Sequence, residues 1–296
     1  MSTKSKVIKV FIYIFLVLLA LIYLVPLIWV VITSLKDDAV LMISPWALPD
    51  RPMFENYEFA WTMGNLGKAT LNSFIVCSIT LVLSMLFGSM AAYAIAILRW
   101  KLSKLTMTYF LIGMMIPVHC VLIPLFIQFS KIGLSNTLLG IIIPYITFSL
   151  PITIYILVGF FAGIPRELFE AACIDGCSVY RMFTHVALPL AKTGFMVTGL
   201  MSFVANWNEL LLAMVFISKE AKKTLPVSLT KFVGPYNTNY CQMFAAIVLA
   251  IIPTVVVYCC FSNNIVDGLT QKFKQFINIA DRRTHRKRLQ MADDLW

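Results

Sequence analysis

The chain has 296 residues, 60% of them hydrophobic and only 13% charged, with a net charge of +10 at neutral pH and a mean hydropathy of +0.85. A water-soluble domain is nearer half apolar and about a quarter charged. These values exclude a soluble fold of this size and make lipid the solvent.

A bilayer core about 30 Å thick takes roughly 20 residues of helix to cross. Six apolar runs reach that length, at residues 10–32, 72–98, 105–129, 138–161, 194–217 and 243–266. None alternates apolar with polar residues as barrel strands do, and backbone groups in lipid must be satisfied within their own segment. The expectation is an all-α, polytopic membrane protein with six transmembrane helices. Pro117, Pro124, Pro144, Pro151 and Pro253 fall inside the runs and predict kinks in a moving or cavity-lined bundle.

The first run follows Lys4, Lys6 and Lys9, the flank of a secretory signal, but at about 23 residues it is too long for a signal core. "VITSLKDD" after it holds no small-x-small cleavage site, so an uncleaved first helix is expected. Next comes a segment with Pro45, Pro49 and Pro52, in which Trp46, Tyr57 and Trp61 are expected at headgroup level. Placing the N-terminus inside assigns residues 1–9, 99–104, 162–193 and 267–296 to the cytoplasm, and these hold 16 of the 24 Lys and Arg residues. The positive-inside rule then puts both termini in the cytoplasm. One loop runs the other way, 218–242, with Lys219, Lys222, Lys223 and Lys231 on the outer side.

Between the fourth and fifth runs lies "EAACIDGCSVYRMFTHVALP". Pro165 suits the first turn of a helix, and Glu167 and Glu170 suit its N-terminal half. Asp175-Gly176 reads as a stop and a turn, with glycine supplying a positive φ. Val179, Met182, Phe183 and Val186 recur at helical spacing, and Leu188-Pro189 ends the stretch. The pattern predicts helix, turn, helix along the membrane surface. The small Ala171 and Ala172 would let another surface approach closely, making a docking knob.

In the fifth run, "NWNE" (residues 206–209) is the most polar cluster within any span. A carboxylate at membrane depth faces a cavity or a partner. Trp207 offers a flat apolar face, and Asn208 and Glu209 offer hydrogen-bonding groups, a combination suited to a sugar ring in a wet cavity. The same residues also suit an interhelical lock. Asn72 and Ser73, opening the second run, carry the same ambiguity.

The seven cysteines form no C-x-x-C pair and the three histidines lie on separate segments, so no metal site is expected. No nucleophile–base set and no phosphate-cradling glycine loop is present, so the chain is not expected to be an enzyme. The basic "DRRTHRKR" near the C-terminus reads as a solvated or headgroup-facing tail rather than a nucleic-acid site.

Glu170, Ala171, Ala172, Gly176, Val186, Leu188 and Pro189 reproduce the spacing of the EAA loop of binding-protein-dependent ABC importer permeases, with valine at 186 where isoleucine is usual. "MMIPVHCVLIPLF", "GLSNTLLGIIIPY", "IPRELFEAACIDG" and "FVANWNELLLAMVF" extend the resemblance over residues 71–261. The chain resembles the permeases of carbohydrate importers, specifically the maltose-type second permease subunit. The resemblance implies a type I ABC importer transmembrane domain that pairs with a second permease. An ATPase dimer would sit below it and an extracytoplasmic solute-binding protein above. ATP and magnesium would belong to the ATPase, leaving no cofactor on this chain. The docking set would be Glu170, Ala171, Ala172, Asp175, Gly176, Leu188 and Pro189, with Glu170 facing a basic group of the ATPase. Trp207, Asn208, Glu209 and Asn72 would line the substrate path or lock helices.

The implied divisions are residues 1–66, a first helix and outer segment; 67–266, a five-helix core with its coupling loop at 165–190; and 267–296, a basic tail longer than the family's usual ending. Two other readings stand beside this one. A permease for another solute, such as glycerol phosphate or a polyol, fits the same motifs. A stand-alone carrier or membrane-embedded enzyme leaves the loop spacing unexplained.

Overall fold

The computed structural model describes residues 3–234 and 239–261; the predicted tail 267–296 and the last residues of the sixth run lie outside them. The helices are α1 (Thr3–Thr33), α2 (Asp38–Ile43), α3 (Glu55–Met63), α4 (Leu66–Tyr93, continued as a π-helix Ala94–Leu98), α5 (Ser103–Met115), α6 (Val118–Lys131) and α7 (Leu138–Phe161). They continue as α8 (Arg166–Ile174), α9 (Val179–Leu190), α10 (Lys192–Trp207), α11 (Leu211–Phe216), α12 (Leu225–Leu229) and α13 (Tyr240–Phe261). Among the described residues four helices are long and apolar enough to cross a membrane, or six when each of two bent pairs counts as one span.

Two predicted spans are therefore not single helices. The third run divides into α5 and α6, which meet at 91°. Pro117 stands at the break in extended backbone (φ −63°, ψ 133°), where its missing N–H and the restriction on Ile116 stop a continuous helix. The fifth run ends as a helix at Trp207 and resumes only at Leu211. At its other end α10 is bent by 77° from α9. The other prolines do not break their helices: Pro124 lies inside α6, and Pro144 and Pro151 lie inside the continuous α7. The hydroxyl of Thr137, in extended backbone, caps α7 by accepting from the Gly140 N–H at 3.0 Å.

The chain divides into two compact units. The first comprises residues 1–74 and 213–253. Its segment after α1 is folded around the end of that helix. Lys36 is only 1% exposed, and its Nζ donates to the Pro45 carbonyl at 2.8 Å, which also accepts from Trp29 Nε1 at 3.0 Å. Asn56 Nδ2 donates to the carbonyls of Ser34 and Lys36 at 2.9 and 2.8 Å, and the Ser34 and Tyr57 hydroxyls are 2.6 Å apart. Asp38 accepts from the Cys241 N–H at 2.7 Å and so ties the start of α13 to this segment.

The second unit comprises residues 75–212 and, of the described chain, 254–261. Its centre is α7, packed against α5, α10 and the π-helical end of α4. Helix α4 approaches α7 closely at Gly88, where a Cβ would come within 2.6 Å of the Thr153 methyl. Small residues let membrane helices pack at such distances.

Candidate functional site

The stretch 165–190 forms the predicted helix, turn, helix. Pro165 takes the N-cap position in extended backbone (φ −56°, ψ 133°), so α8 starts at Arg166. The helix ends in a Schellman motif: the Cys177 N–H donates to the Ala172 carbonyl at 2.9 Å and the Gly176 N–H to the Cys173 carbonyl at 3.0 Å. Gly176 closes the turn with φ +76°, and a Cβ there would meet nothing within 4 Å. Its requirement is conformational, not spatial, and any side chain placed there would project outward. Ser178 caps α9, its hydroxyl accepting from the Arg181 N–H at 3.4 Å.

Phe169, Ala172 and Ala187 are buried. They belong to a core with Tyr93, Phe161 and Ala191 that is joined by Phe183 and Leu188. Tyr93 is the hub. Its ring lies 6.4 Å from Phe169 on α8, 5.2 Å from Phe183 on α9 and 6.1 Å from Phe161 on α7, and its hydroxyl donates to the Val179 carbonyl at 3.5 Å. Aromatic pairs in such geometries each add roughly 0.5–1.5 kcal/mol beyond burial. Both helices of the knob are thereby fixed to the ends of two membrane spans.

The outer face is apolar at its tip. Ile174 is 87% exposed and Tyr180 79%, with Leu168 and Val179 half-exposed beside them. Glu170, Ala171, Asp175, Gly176 and Pro189 are exposed on the same element. Glu170 shares a pocket of about 150 Å³ with Arg99 and Arg166; among the described residues it reaches neither as an ion pair. The expectation for Ala172 needs correction. It packs inward, so close approach by another surface falls to Ala171 alone, and Leu188 likewise serves the core. Sequence reasoning missed Tyr93, which lies over 70 residues away in the chain and carries no local signal, and Ile174 and Tyr180, whose exposure emerges only once the inward face is known.

The polar cluster of the fifth run is dispersed by the break after Trp207. Trp207 is buried and stacked on Phe203, with centroids 5.5 Å apart and planes at 23°. Asn208 is exposed, and its amide donates back to the Val204 carbonyl at 2.9 Å. Glu209 accepts from the Tyr145 hydroxyl of α7 at 2.5 Å and from the Leu212 N–H at 2.8 Å. One carboxylate thus locks two helices and caps the start of α11. One turn away, Asn206 donates to the Ser202 carbonyl at 2.8 Å and the Ser149 hydroxyl at 3.2 Å.

Tyr145, Ser149, Ser202, Asn206 and Glu209 line a cavity of about 340 Å³ with Thr153 and Thr198, against apolar Phe148, Ile152 and Met201. Of the four residues expected on a path or lock, Glu209 alone lines this cavity, and it also locks. Asn72 is a lock elsewhere: its amide donates to the carbonyls of Ala221 and Lys223 at 3.1 and 3.0 Å, while the adjacent Ser73 hydroxyl accepts from the Leu225 N–H at 2.8 Å.

In the loop that opposes the charge asymmetry, Glu220 pairs with both Lys223 and Lys231. The hydrogen bond from Lys223, then that from Lys231, holds its carboxyl below the ordinary glutamate range. Lys223 and Lys231 of this loop are thereby matched by a carboxylate.

Residues 84–274 match the family described as binding-protein-dependent transport system inner membrane components. The chain is 37% identical over 258 residues to a diacetylchitobiose uptake system permease protein of Streptomyces coelicolor, covering 86% of this chain and 85% of the relative. It is 34% identical to a trehalose transport system permease protein of Mycobacterium tuberculosis, over 83% and 90% of the two chains. Its fold is similar to a chain of the crystal structure of a bacterial ABC transporter that imports the acidic polysaccharide alginate. The TM-score is 0.76 at 23% identity, covering 89% of this chain and 98% of that one.

Proposed function

Because the chain belongs to the inner membrane components of binding-protein-dependent transport systems, we propose that it is a transmembrane subunit of an ATP-driven importer for a sugar or oligosaccharide. The relatives named for diacetylchitobiose and trehalose support the carbohydrate class. In this reading a second, homologous permease completes the pathway, a solute-binding protein delivers the substrate, and separate ATPase subunits hold ATP and magnesium. The knob 165–190 docks on the ATPase, and both termini face the cytoplasm. The pairing of Glu220 with two outer lysines removes part of the charge objection to that orientation.

The observation that carries the docking role is the pairing of an exposed apolar tip with a rigid root. Ile174 and Tyr180 present apolar surface to a partner, and Tyr93 fixes both knob helices to α7 and α4. A partner closing on that tip biases the packing of the spans directly, because the contact has no flexible element between it and the bundle. A cluster of exposed apolar side chains outside the spans marks a contact with a protein or with the membrane surface.

The test is reconstitution of the chain with its partner permease, ATPase and binding protein, followed by labelled-sugar uptake with and without ATP. Uptake that needs ATP, and ATPase that is lost from the complex when Ile174→Glu is introduced, supports the reading. Transport by the isolated chain without ATP refutes it, as does labelling that places Asp175 outside the cell.

A further inference from the structure

We propose that the cavity beside α2 holds the headgroup of a zwitterionic phospholipid, with Lys36 and Arg51 on its phosphate and Asp37, Asp50 and Glu55 around its ammonium. This site shares no residue with the knob or with the cavity between α7 and α10, and it lies wholly within the first compact unit.

Lys36 singles it out. Among the described residues it is the only charged side chain that is buried, at 1% exposure. An ammonium carries three N–H donors, and the one acceptor it meets among the described residues is the Pro45 carbonyl at 2.8 Å. None of their carboxylates lies within ion-pair distance of it. A buried charge without an opposite one is strongly destabilising, so this lysine calls for an anion. It forms part of the wall of a cavity of about 380 Å³, together with Arg51 and the carboxylates of Asp37, Asp50 and Glu55. Asp37 gives one oxygen to the Ala39 N–H as the cap of α2, but no two of the five charged groups pair with each other. Charges of both signs thus border one space and stay apart.

The class of ligand follows by elimination. A lone anion meets three carboxylates, a lone cation meets Lys36 and Arg51, and a neutral polyol compensates neither sign. A ligand with one anionic and one cationic end satisfies both. Its source follows from position. The apolar span Ile8–Thr33 ends three residues before Lys36, and the headgroup layer adds about 5–7 Å to each side of the hydrocarbon core. The Pro45 carbonyl that holds Lys36 also accepts from Trp29 Nε1 at 3.0 Å, and the Trp29 and Trp46 rings lie 5.8 Å apart, a pair of the kind found at headgroup level. Ile43, Leu48 and Phe54, 68–83% exposed, flank the wall in sequence and suit the acyl side. A guanidinium binds phosphate through two parallel bonds. The carboxylates accept hydrogen bonds from a primary ammonium, which choline cannot donate, so ethanolamine is the preferred cationic end.

For the test, the full chain in detergent is offered equal amounts of phosphatidylethanolamine, phosphatidylcholine and phosphatidylglycerol, and the lipid it retains is counted by native mass spectrometry. The expected result is one phosphatidylethanolamine per chain, held at least about 10-fold in preference to the other two. Arg51→Gln, on the surface, should keep the Tm of the lipid-free protein and lose that molecule. Lys36→Met, which fills the same buried space without charge, should lose it too. Asp50→Asn combined with Glu55→Gln should have the opposite signature, with lipid still bound and phosphatidylglycerol now held as well as phosphatidylethanolamine. Equal retention of the three lipids by the wild type overturns the site, as does a preference that survives both in Arg51→Gln and in the Asp50/Glu55 double variant. Soluble phosphoethanolamine that raises the Tm as much as the lipid overturns the lipid as its source. A photo-crosslinker at residue 51 that captures a partner polypeptide, with no lipid preference, makes the cavity a protein interface and removes the proposal.

Discussion

The knob at 165–190 and the polar break at 206–212 put their chemistry on opposite sides. In the knob the polar groups are spent on local caps and a turn, while apolar Ile174 and Tyr180 are left outside. In the break the apolar Trp207 is buried, and Asn206 and Glu209 reach across to α7. The first arrangement leaves apolar area unburied at Ile174 and Tyr180. The second leaves a mixed lining in which Tyr145, Ser149, Asn206 and Glu209 bond to one another beside apolar Phe148 and Met201. On the proposed reading, a docking surface and a passage cavity are distinguished by which class of side chain faces outward and which faces the interior.

The widest separation between the regions is expected at the knob's turn. Gly176→Asp should abolish uptake, by at least about 10-fold, with an unchanged amount of protein in the membrane. A non-glycine residue in the left-handed region costs about 1–2 kcal/mol, and the new carboxylate projects outward into open space, the face that docks on the proposed reading. Gly176→Asn tolerates the same backbone better and should retain more uptake. Equal loss in Asn and Asp variants would shift the requirement from conformation to the bare surface. Uptake at the wild-type rate in Gly176→Asp would remove the knob from coupling altogether.

The root of the knob comes next. Tyr93→Ala empties the contact shared by Phe161, Phe169 and Phe183 and should cost about 3 kcal/mol of stability, read as a lower Tm in detergent. Tyr93→Phe loses only the long bond to the Val179 carbonyl and should cost less than about 1 kcal/mol. If Tyr93→Ala leaves ATPase association intact but disconnects hydrolysis from uptake, the root transmits and the tip binds.

How each region could be read from sequence follows from the range of its interactions. The knob was legible because its signals are local: Asp175-Gly176 marks the stop, and the three- and four-residue spacing of Met182, Phe183 and Val186 gives the inward face of α9. What failed there was Ala172. Which of two adjacent alanines faces inward depends on where Tyr93 and Phe161 stand, and periodicity over nine residues of α8 does not fix that. The break was read as a continuous span because Leu211–Phe216 is as apolar as α10 and no proline or glycine interrupts 206–212. The signal that was available is Glu209 itself, three residues before Leu212, an acceptor placed to cap a new helix. The bend between α5 and α6 was half legible: Pro117 was noted, but so were Pro144 and Pro151, which α7 accommodates without a break.

At the polar break the two roles of Glu209 can be separated. Glu209→Gln keeps an acceptor oxygen for Tyr145 or for the Leu212 N–H and should change stability by less than about 1 kcal/mol. Glu209→Ala leaves both donors unpaired and should cost about 2–3 kcal/mol. If the glutamine variant assembles normally but takes up sugars in a different order of preference, the carboxylate serves the cavity. If it fails to assemble, the lock between α7 and α10 is its whole role.

The smallest effect belongs to neither region and sets the scale for both. Glu220 pairs with Lys223 and Lys231 while its side chain is still 55% exposed, so solvent screens the pairs and Glu220→Gln should cost less than about 1 kcal/mol. The sign follows from the lowered carboxyl pKa, caused first by the Lys223 hydrogen bond. A carboxylate held below its ordinary value of 4.5 stabilises the fold fully above that pH and loses the contribution as pH falls through the lower, folded value. The Tm difference between wild type and Glu220→Gln should therefore be constant from neutral pH down to about pH 5 and vanish in stronger acid. Added salt should shrink it at neutral pH as well, since about 1 M salt screens charges beyond roughly 3 Å. A difference that persists in acid would mean that Glu220 acts through packing rather than charge.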